Sequence, residues 1–266
     1  MKKNNFLIVL RVVFAIAAWW VIFKGYTAFV EPLFADSIPE TFVLILRSMI
    51  VPYTLGLGAC YLILRGMDKG EMSGDIAPSP GLVIKGFFIQ QGLAMPVIMF
   101  VNIICQIFGI TKVGMTADEL FGKEWLFYLI LLLVFNPIFE ELLFRKLLLD
   151  RLLVLGETPA IVISAILFGL PHIYSMGLPL FFGTCLIGLV WAYVRVHTGK
   201  LWPSIVLHSL FNVYGSYFTL AMAGSTPTTM LVALLGFIIL PLIAAILLVT
   251  SGIFKRADKV EIKKAA

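Results

Sequence analysis

Eight long apolar segments limit the folds available to this chain more than any other feature. They run approximately over residues 6–30, 41–64, 81–108, 124–153, 159–177, 179–196, 201–221 and 230–253. A helix that crosses a bilayer needs about 20 apolar residues. Helices also satisfy their own backbone hydrogen bonds where no water is present. The sequence therefore predicts an all-α polytopic membrane protein with about eight transmembrane helices.

The composition leaves little room for a soluble domain. The chain has 266 residues, of which 61% are hydrophobic and 13% charged, whereas soluble domains average about 25% charged residues. We expect a single integral membrane domain over residues 1–266. The cysteines Cys60, Cys105 and Cys185 all lie in apolar segments without metal-type or disulfide-type spacing. They are expected to pack against neighbouring side chains.

The positive charges predict the orientation. Cytoplasmic loops of membrane proteins carry an excess of Lys and Arg. If the N-terminus is cytoplasmic, eight spans place both termini there, and the outside loops carry only Lys112 and Lys123. The inside segments then carry Lys2, Lys3, Arg65, Lys69, Arg145, Lys146, Arg151, Arg195, Lys200, Lys255, Arg256, Lys259, Lys263 and Lys264. The basic residues are thus interpreted as topology signals and lipid contacts, not as a nucleic-acid site. The MKKNN start favours a bacterial plasma membrane.

Two stretches on the predicted cytoplasmic side have no expected catalytic role. Residues 65–80, RGMDKGEMSGDIAPSP, are polar and rich in Gly and Pro, and they predict a flexible connection. His197 falls in the stretch VHTGK and is expected to be solvated.

Two adjacent carboxylates, Glu140 and Glu141, lie inside the fourth apolar segment. An ionisable group within a membrane segment is expensive and is a functional-site hypothesis by default. Arg145 is four residues after Glu141, so the two share a helix face and can pair. Glu140 points about 100° away. We therefore predict that Glu141 pairs with Arg145 and fixes the structure, while Glu140 stays free to act. The alternative is that both carboxylates extend to the membrane surface.

Asn136-Pro137 precede the glutamates and indicate a break in the helix. Proline lacks a backbone donor and crowds the preceding turn. In a membrane, this is tolerated where neighbours or water satisfy the freed groups. The break is either an ordinary kink or a local opening that admits water to Glu140.

Further polar residues interrupt the fifth and seventh segments. His172 follows Phe168 by four residues, and Asn212 follows His208 by four, so each pair shares a helix face. Glu140 lies 16 residues before Gly156 and His172 lies 16 after it. In an antiparallel helical hairpin, equal offsets predict equal depth. The alternative for Asn212 is a hydrogen bond that joins helices without any catalytic role.

In order along the chain, Glu140-Glu141-x-x-x-Arg145, Phe168-x-x-x-His172 and His208-x-x-x-Asn212 stand on three separate apolar segments. This arrangement resembles the motifs of the CAAX protease and bacteriocin-processing family of intramembrane proteases, whose bacterial members are often called Abi proteins. Eukaryotic relatives remove the last three residues of prenylated CAAX proteins. The resemblance covers a core of about residues 124–215, and the first three spans carry no recognisable signature.

The resemblance implies that Glu140 and His172 activate a water molecule for attack on a peptide carbonyl. It also implies that His208 and Asn212 stabilise the oxyanion. Glu141, Arg145 and Phe168 would support the site. The residues themselves suggest similar roles, because two donors one helical turn apart suit a developing negative oxygen. The expected partners are the lipid bilayer and a membrane peptide or lipidated protein.

The residues leave a metal site open. Glu140, His172 and His208 could supply three zinc ligands, with water as the fourth. Glu140 would then be a ligand and a separate base would be needed, and the sequence contains no H-E-x-x-H motif. A metal-free glutamate mechanism is therefore favoured. Two other functions stay open: a non-catalytic peptide-binding or self-immunity protein, and a small transporter with Glu140 and His172 as a proton relay.

Overall fold

A computed structural model describes residues 3–110 and 114–251 of the chain. In these two stretches there is no strand, and eight helices are long and apolar enough to cross a membrane. They are α1 (Asn5–Leu33), α2 (Glu40–Leu64), α3 (Pro80–Ile107), α4 (Trp125–Leu155), α5 (Glu157–Tyr174), α6 (Leu178–Thr198), α7 (Trp202–Met222) and α8 (Thr226–Thr250). The all-α architecture and the predicted eight spans are confirmed.

Local sequence signals set several helix ends. Ser79 caps α3, because its hydroxyl oxygen accepts a hydrogen bond from the backbone N–H of Leu82 at 3.2 Å. Gly156 joins α4 to α5 at φ +101°, and Gly199 ends α6 at φ +65°. Glycine adopts such positive φ angles without steric cost. A short helix, Ala117–Phe121, precedes α4 and begins with a capping box between Thr116 and Glu119.

Helix α6 lies at the centre of the bundle and is the most buried of the eight spans. It packs against α5 and α3, and α8 also packs against α3. Glycines allow these close approaches: a Cβ at Gly188 of α6 would lie 3.1 Å from the Cα of Ala165 in α5. Small residues at such contacts are typical of helix packing in membranes. This packing fixes α5, α6 and α7 around one interior.

Large apolar side chains cover much of the outer surface, which is the arrangement expected of a protein solvated by lipid. Phe14 is 61% exposed and Val21 is 70% exposed on α1, and Val249 is 69% exposed on α8. The fold is therefore that of an integral, multi-pass membrane protein.

The connection over residues 65–80 is not the free linker that its composition predicted. The N–H of Gly70 donates to the Asp150 carbonyl at 2.8 Å, and the N–H of Ile76 donates to the His197 carbonyl at 2.9 Å. Met67, Met72 and Ile76 also pack against the hydrophobic core. The Gly and Pro residues allow the chain to follow the ends of α4 and α6. Their presence therefore did not indicate a flexible connection.

The orientation argument is weakened by three of its positive residues. Arg145 is fully buried, and Arg151 and Arg195 are 6% and 7% exposed. Arg195 lies 3.2 Å from the Asp150 carboxylate. These three are therefore structural groups and not surface charges. Seven others, Lys2, Lys112, Lys255, Arg256, Lys259, Lys263 and Lys264, lie outside the described residues. The orientation stays a prediction.

Candidate active site

Two cavities meet at Glu140 and His172 in the middle of the bundle. The methionine cavity, of about 310 Å³, is lined by Met95 and Met99 and by side chains of α6, α7 and α8. The aromatic cavity, of about 370 Å³, is lined by side chains of α1, α2, α4 and α5. The residues lining both cavities are Leu132, Asn136, Glu140, Phe168 and His172. His208 and Asn212 line the methionine cavity. The structure thus brings together all four residues that the sequence predicted as catalytic.

The helix break around Pro137 creates the junction between α4 and α7. A wide π-helical turn over Leu131–Phe135 precedes it, and the Asn136 N–H donates to the Leu131 carbonyl. Proline cannot donate, so one helical hydrogen bond to the carbonyls four or five residues earlier, those of Leu133 and Leu132, is missing. Side chains of α7 bind them instead. Asn212 Nδ2 donates to the Leu132 carbonyl at 2.8 Å, and Ser209 Oγ donates to the Leu133 carbonyl at 2.7 Å.

Glu140 is held loosely. Tyr53 donates its hydroxyl hydrogen to Glu140 Oε1 at 3.4 Å. His208 Nε2 lies 3.9 Å from Glu140 Oε2, and the Glu140 side chain is 17% exposed. These contacts are at the long end of hydrogen-bond and ion-pair range. The carboxylate is therefore oriented toward the cavities but is not saturated with partners.

Glu141 has the opposite environment. Its side chain and that of Arg145 are both fully buried, and Arg145 Nε lies 3.4 Å from Glu141 Oε2. The guanidinium also lies over the ring of Phe168, at 4.6 Å from its centroid, and over that of Trp191, at 5.5 Å. This is the pairing that the spacing predicted. Neither glutamate side chain extends away from the bundle, since Glu141 is fully buried and Glu140 is 17% exposed.

His172 lines both cavities and binds its own helix through one ring nitrogen. Its Nδ1 lies 3.0 Å from the Phe168 carbonyl one turn earlier on α5. A carbonyl can only accept, so Nδ1 carries a hydrogen, and in the neutral imidazole Nε2 then keeps a lone pair. The neutral imidazole can therefore accept a proton or orient water through Nε2.

His208 is fixed by rings on one side and carboxylates on the other. Its ring stacks on Trp191 with 4.3 Å between centroids, and its Nδ1 lies 3.6 Å from Glu141 Oε1. Trp191 is held in turn by Gln90 of α3, because the indole Nε1 donates to Gln90 Oε1 at 2.6 Å. Gln90 Nε2 donates to the Leu207 carbonyl at 2.9 Å. Gln90 thus connects the stacked ring with the backbone next to His208.

The position of Asn212 is compatible with both roles considered for it: a hydrogen bond that joins two helices and a donor for the oxyanion. The bond from its Nδ2 to Leu132 joins α7 to α4, as a purely structural asparagine would. The amide carries a second N–H, and the side chain lines the methionine cavity. The helix-joining bond sets the direction in which this second donor can point.

The proposed metal ligands do not form a metal site in this structure. Among residues 3–110 and 114–251, no three His, Cys, Asp or Glu side chains lie close enough together to hold an ion. Glu140, His172 and His208 therefore do not converge as a ligand set.

The interpretation of His197 as a solvated residue was wrong. His197 is 2% exposed, its Nδ1 lies 2.7 Å from Asp75 Oδ1, and its Nε2 lies 2.8 Å from Glu157 Oε1. It joins the connection over residues 65–80 to the start of α5. The error arose because α6 continues to Thr198, so His197 lies in the last turn of a buried helix.

Sequence reasoning missed Tyr53, Gln90 and Trp191 as parts of the site. Gln90 did carry a signal, since adjacent amides at Gln90 and Gln91 inside an apolar segment are as unusual as the paired glutamates. Tyr53 and Trp191 carried none, because aromatic residues are common in membrane helices.

The fold and this polar centre define an integral membrane protein in which Glu140 and His172 lie where two cavities meet, with His208 and Asn212 in the wall of one of them. Residues 122–214 match the family described as "Rce1-like: Type II CAAX prenyl endopeptidase Rce1-like". The match confirms the resemblance to the CAAX protease family and coincides with the motif-bearing core. No curated protein and no solved structure matches the chain.

Proposed function

We propose that this protein is an intramembrane endopeptidase that hydrolyses a peptide bond in a membrane-associated peptide or a CAAX-like protein end. The observation that carries the proposal is the contrast between two adjacent glutamates. Glu141 is fully buried against Arg145, whereas Glu140 is partly exposed at the junction of two cavities. A carboxylate that opens onto such a junction is available to water and to an extended peptide.

The proposed reaction assigns a role to each of the four residues. Glu140 accepts a proton from a water molecule that it and His172 Nε2 orient, and the water oxygen attacks the peptide carbonyl carbon. His208 and Asn212 donate hydrogen bonds to the oxyanion that forms. The C–N bond then breaks, and the proton held by Glu140 passes to the leaving amine.

Location and substrate follow as parts of the same proposal. The proposed membrane is the bacterial plasma membrane, with both termini in the cytoplasm. The substrate is a peptide or a lipidated protein end that reaches the site from within the bilayer.

Glu140→Gln tests this proposal, because glutamine keeps the shape of the side chain and cannot accept the proton from water. We expect cleavage of a reporter peptide in reconstituted vesicles to fall by at least about a thousandfold, since both proton transfer and water positioning are lost. Glu124→Gln, near the start of the same helix and outside both cavities, is the matched control and should cleave normally. Unchanged cleavage by Glu140→Gln would overturn the proposal and favour a peptide-binding protein.

A further inference from the structure

The two cavities differ in charge. The residues lining the methionine cavity include no lysine or arginine, within the part of the chain that the structure describes. The aromatic cavity has one cation among its described lining residues, Lys24 of α1. Its other walls are mostly rings, from Trp19, Trp20, Phe23, Tyr53, Tyr128, Phe144, Phe168 and Tyr174. The Glu140 carboxylate lines both cavities, so the cation is what distinguishes the aromatic one. A largely apolar space that includes a cation is suited to a ligand with apolar groups and one negative end.

The ammonium group of Lys24 lies beside aromatic rings of its own helix. Its Nζ lies 4.8 Å from the centroid of the Trp20 ring and 5.4 Å from that of Phe23. Helical side chains lean toward the preceding turn, which brings the ammonium group to these rings. The Lys24 side chain is exposed, and it lines the aromatic cavity together with both rings.

Lys24 also lacks an acidic partner. No carboxylate of the described residues lies within ion-pair distance of its Nζ. By contrast, Arg47 pairs with Glu31 near the ends of α1 and α2. An unpaired cation inside a membrane segment is a functional-site candidate, because such residues commonly face a cavity and meet a ligand.

We propose that Lys24 binds the C-terminal carboxylate of the substrate, with the residues that follow the cleaved bond lying in the aromatic cavity. This inference rests on the proposed endopeptidase function. A terminal carboxylate occurs in every CAAX-type end, whatever its side chains. Three extended residues span about 10 Å, and the aromatic walls accept their apolar side chains. Glu140 and His172 line the same cavity, so one chain can reach both the acid–base pair and Lys24.

The experiment compares two peptides on matched variants. An apolar hexapeptide is prepared with a free C-terminal carboxylate and, separately, with a C-terminal amide. Affinity is measured in phosphatidylcholine vesicles, which carry no anionic lipid to occupy Lys24. The background is Glu140→Gln, so that binding is read without cleavage. The signal is the change in tryptophan fluorescence on binding, to which Trp19 and Trp20 in the cavity wall contribute.

We expect the free carboxylate to bind about tenfold more tightly than the amide, which is the range of a charge-assisted hydrogen bond. Lys24→Met should reduce this preference to about twofold or less, and Lys24→Arg should keep it. Lys85→Met is the matched control, because Lys85 is exposed on α3 and lines neither cavity. It should keep the full preference.

Two results would overturn the assignment: an undiminished preference for the carboxylate in Lys24→Met, or equal binding of both peptides to the parent. Because affinity is measured without turnover, these results bear on Lys24 alone. Failure of the proposed function appears separately, as unchanged cleavage by Glu140→Gln in the reporter assay.

Discussion

Two histidines of this protein each lie between two carboxylates, and they differ in how tightly they are held. His197 lies 2.7 Å from Asp75 and 2.8 Å from Glu157. His208 lies 3.9 Å from Glu140 and 3.6 Å from Glu141. The first histidine joins a connection to two helix ends, and neither cavity reaches it. The second faces the methionine cavity.

The difference lies in the contact distances and in the adjoining cavity. Hydrogen-bond satisfaction does not separate the two clusters. Buried atoms without a hydrogen-bond partner among the described residues include Nε2 of His197 as well as both carboxylate oxygens of Glu141, Nδ1 of His208 and Oδ1 of Asn136. Short contacts favour a structural role for His197, and long contacts beside a cavity favour a chemical role for His208.

The largest effect is expected from Arg145→Met, which leaves the Glu141 carboxylate buried without a cation. Breaking a fully buried ion pair from one side destabilises a protein by about 3–5 kcal/mol, and the ring contacts of the guanidinium are lost as well. We expect the purified yield and the melting temperature in detergent to fall sharply. Normal accumulation with full activity would show that the pair does not hold the site together.

The comparison of the histidines is tested directly by His208→Ala and His197→Gln. Loss of an oxyanion donor lowers kcat by about 10²–10³-fold, so His208→Ala should lose kcat while KM changes little. Asn212→Ala should behave similarly. His197→Gln should lower the melting temperature and leave kcat within about twofold. If His197→Gln had the larger effect on kcat, the assignment of roles would be reversed.

A smaller effect is expected from Gln90→Met, which removes the hydrogen bond that fixes Trp191 behind His208. We expect kcat to fall about tenfold, KM to change little, and the pH profile of kcat to shift because the surroundings of the imidazole change. Gln91→Met is the matched control. Gln91 is also fully buried, and its amide has no partner in the described part of the chain. Equal losses in both variants would indicate a general packing effect.

The smallest effect is expected from a metal chelator. The donor groups around Glu140 do not converge as a set of three, so we expect treatment with 1,10-phenanthroline to leave the cleavage rate within about twofold. Inactivation that zinc reverses would require Glu140 to act as a metal ligand. The assignment of Glu140 as the proton acceptor and of Glu141 as the structural carboxylate would then be wrong.

Much of the site could be predicted because bilayers restrict where polar residues occur. The long apolar segments located eight helices. The few polar residues inside these segments identified α4, α5 and α7 as the helices that carry the candidate site. The spacing of Glu141 and Arg145 predicted their pairing, since residues four apart share a helix face. Reading local composition failed for His197. The polar stretch around it resembled a loop, whereas helix α6 continues to Thr198.

The sequence alone determined the membrane class, the number of spans and the identity of the polar residues in α4, α5 and α7, because these depend on local composition and helical period. Only the tertiary structure decided that two cavities meet at Glu140, that Asn212 and Ser209 bind the carbonyls of Leu132 and Leu133, that Gln90 holds Trp191, and that Lys24 lines the aromatic cavity. Those relations join helices far apart in the chain. They depend on how side chains of different helices pack, which no single segment encodes.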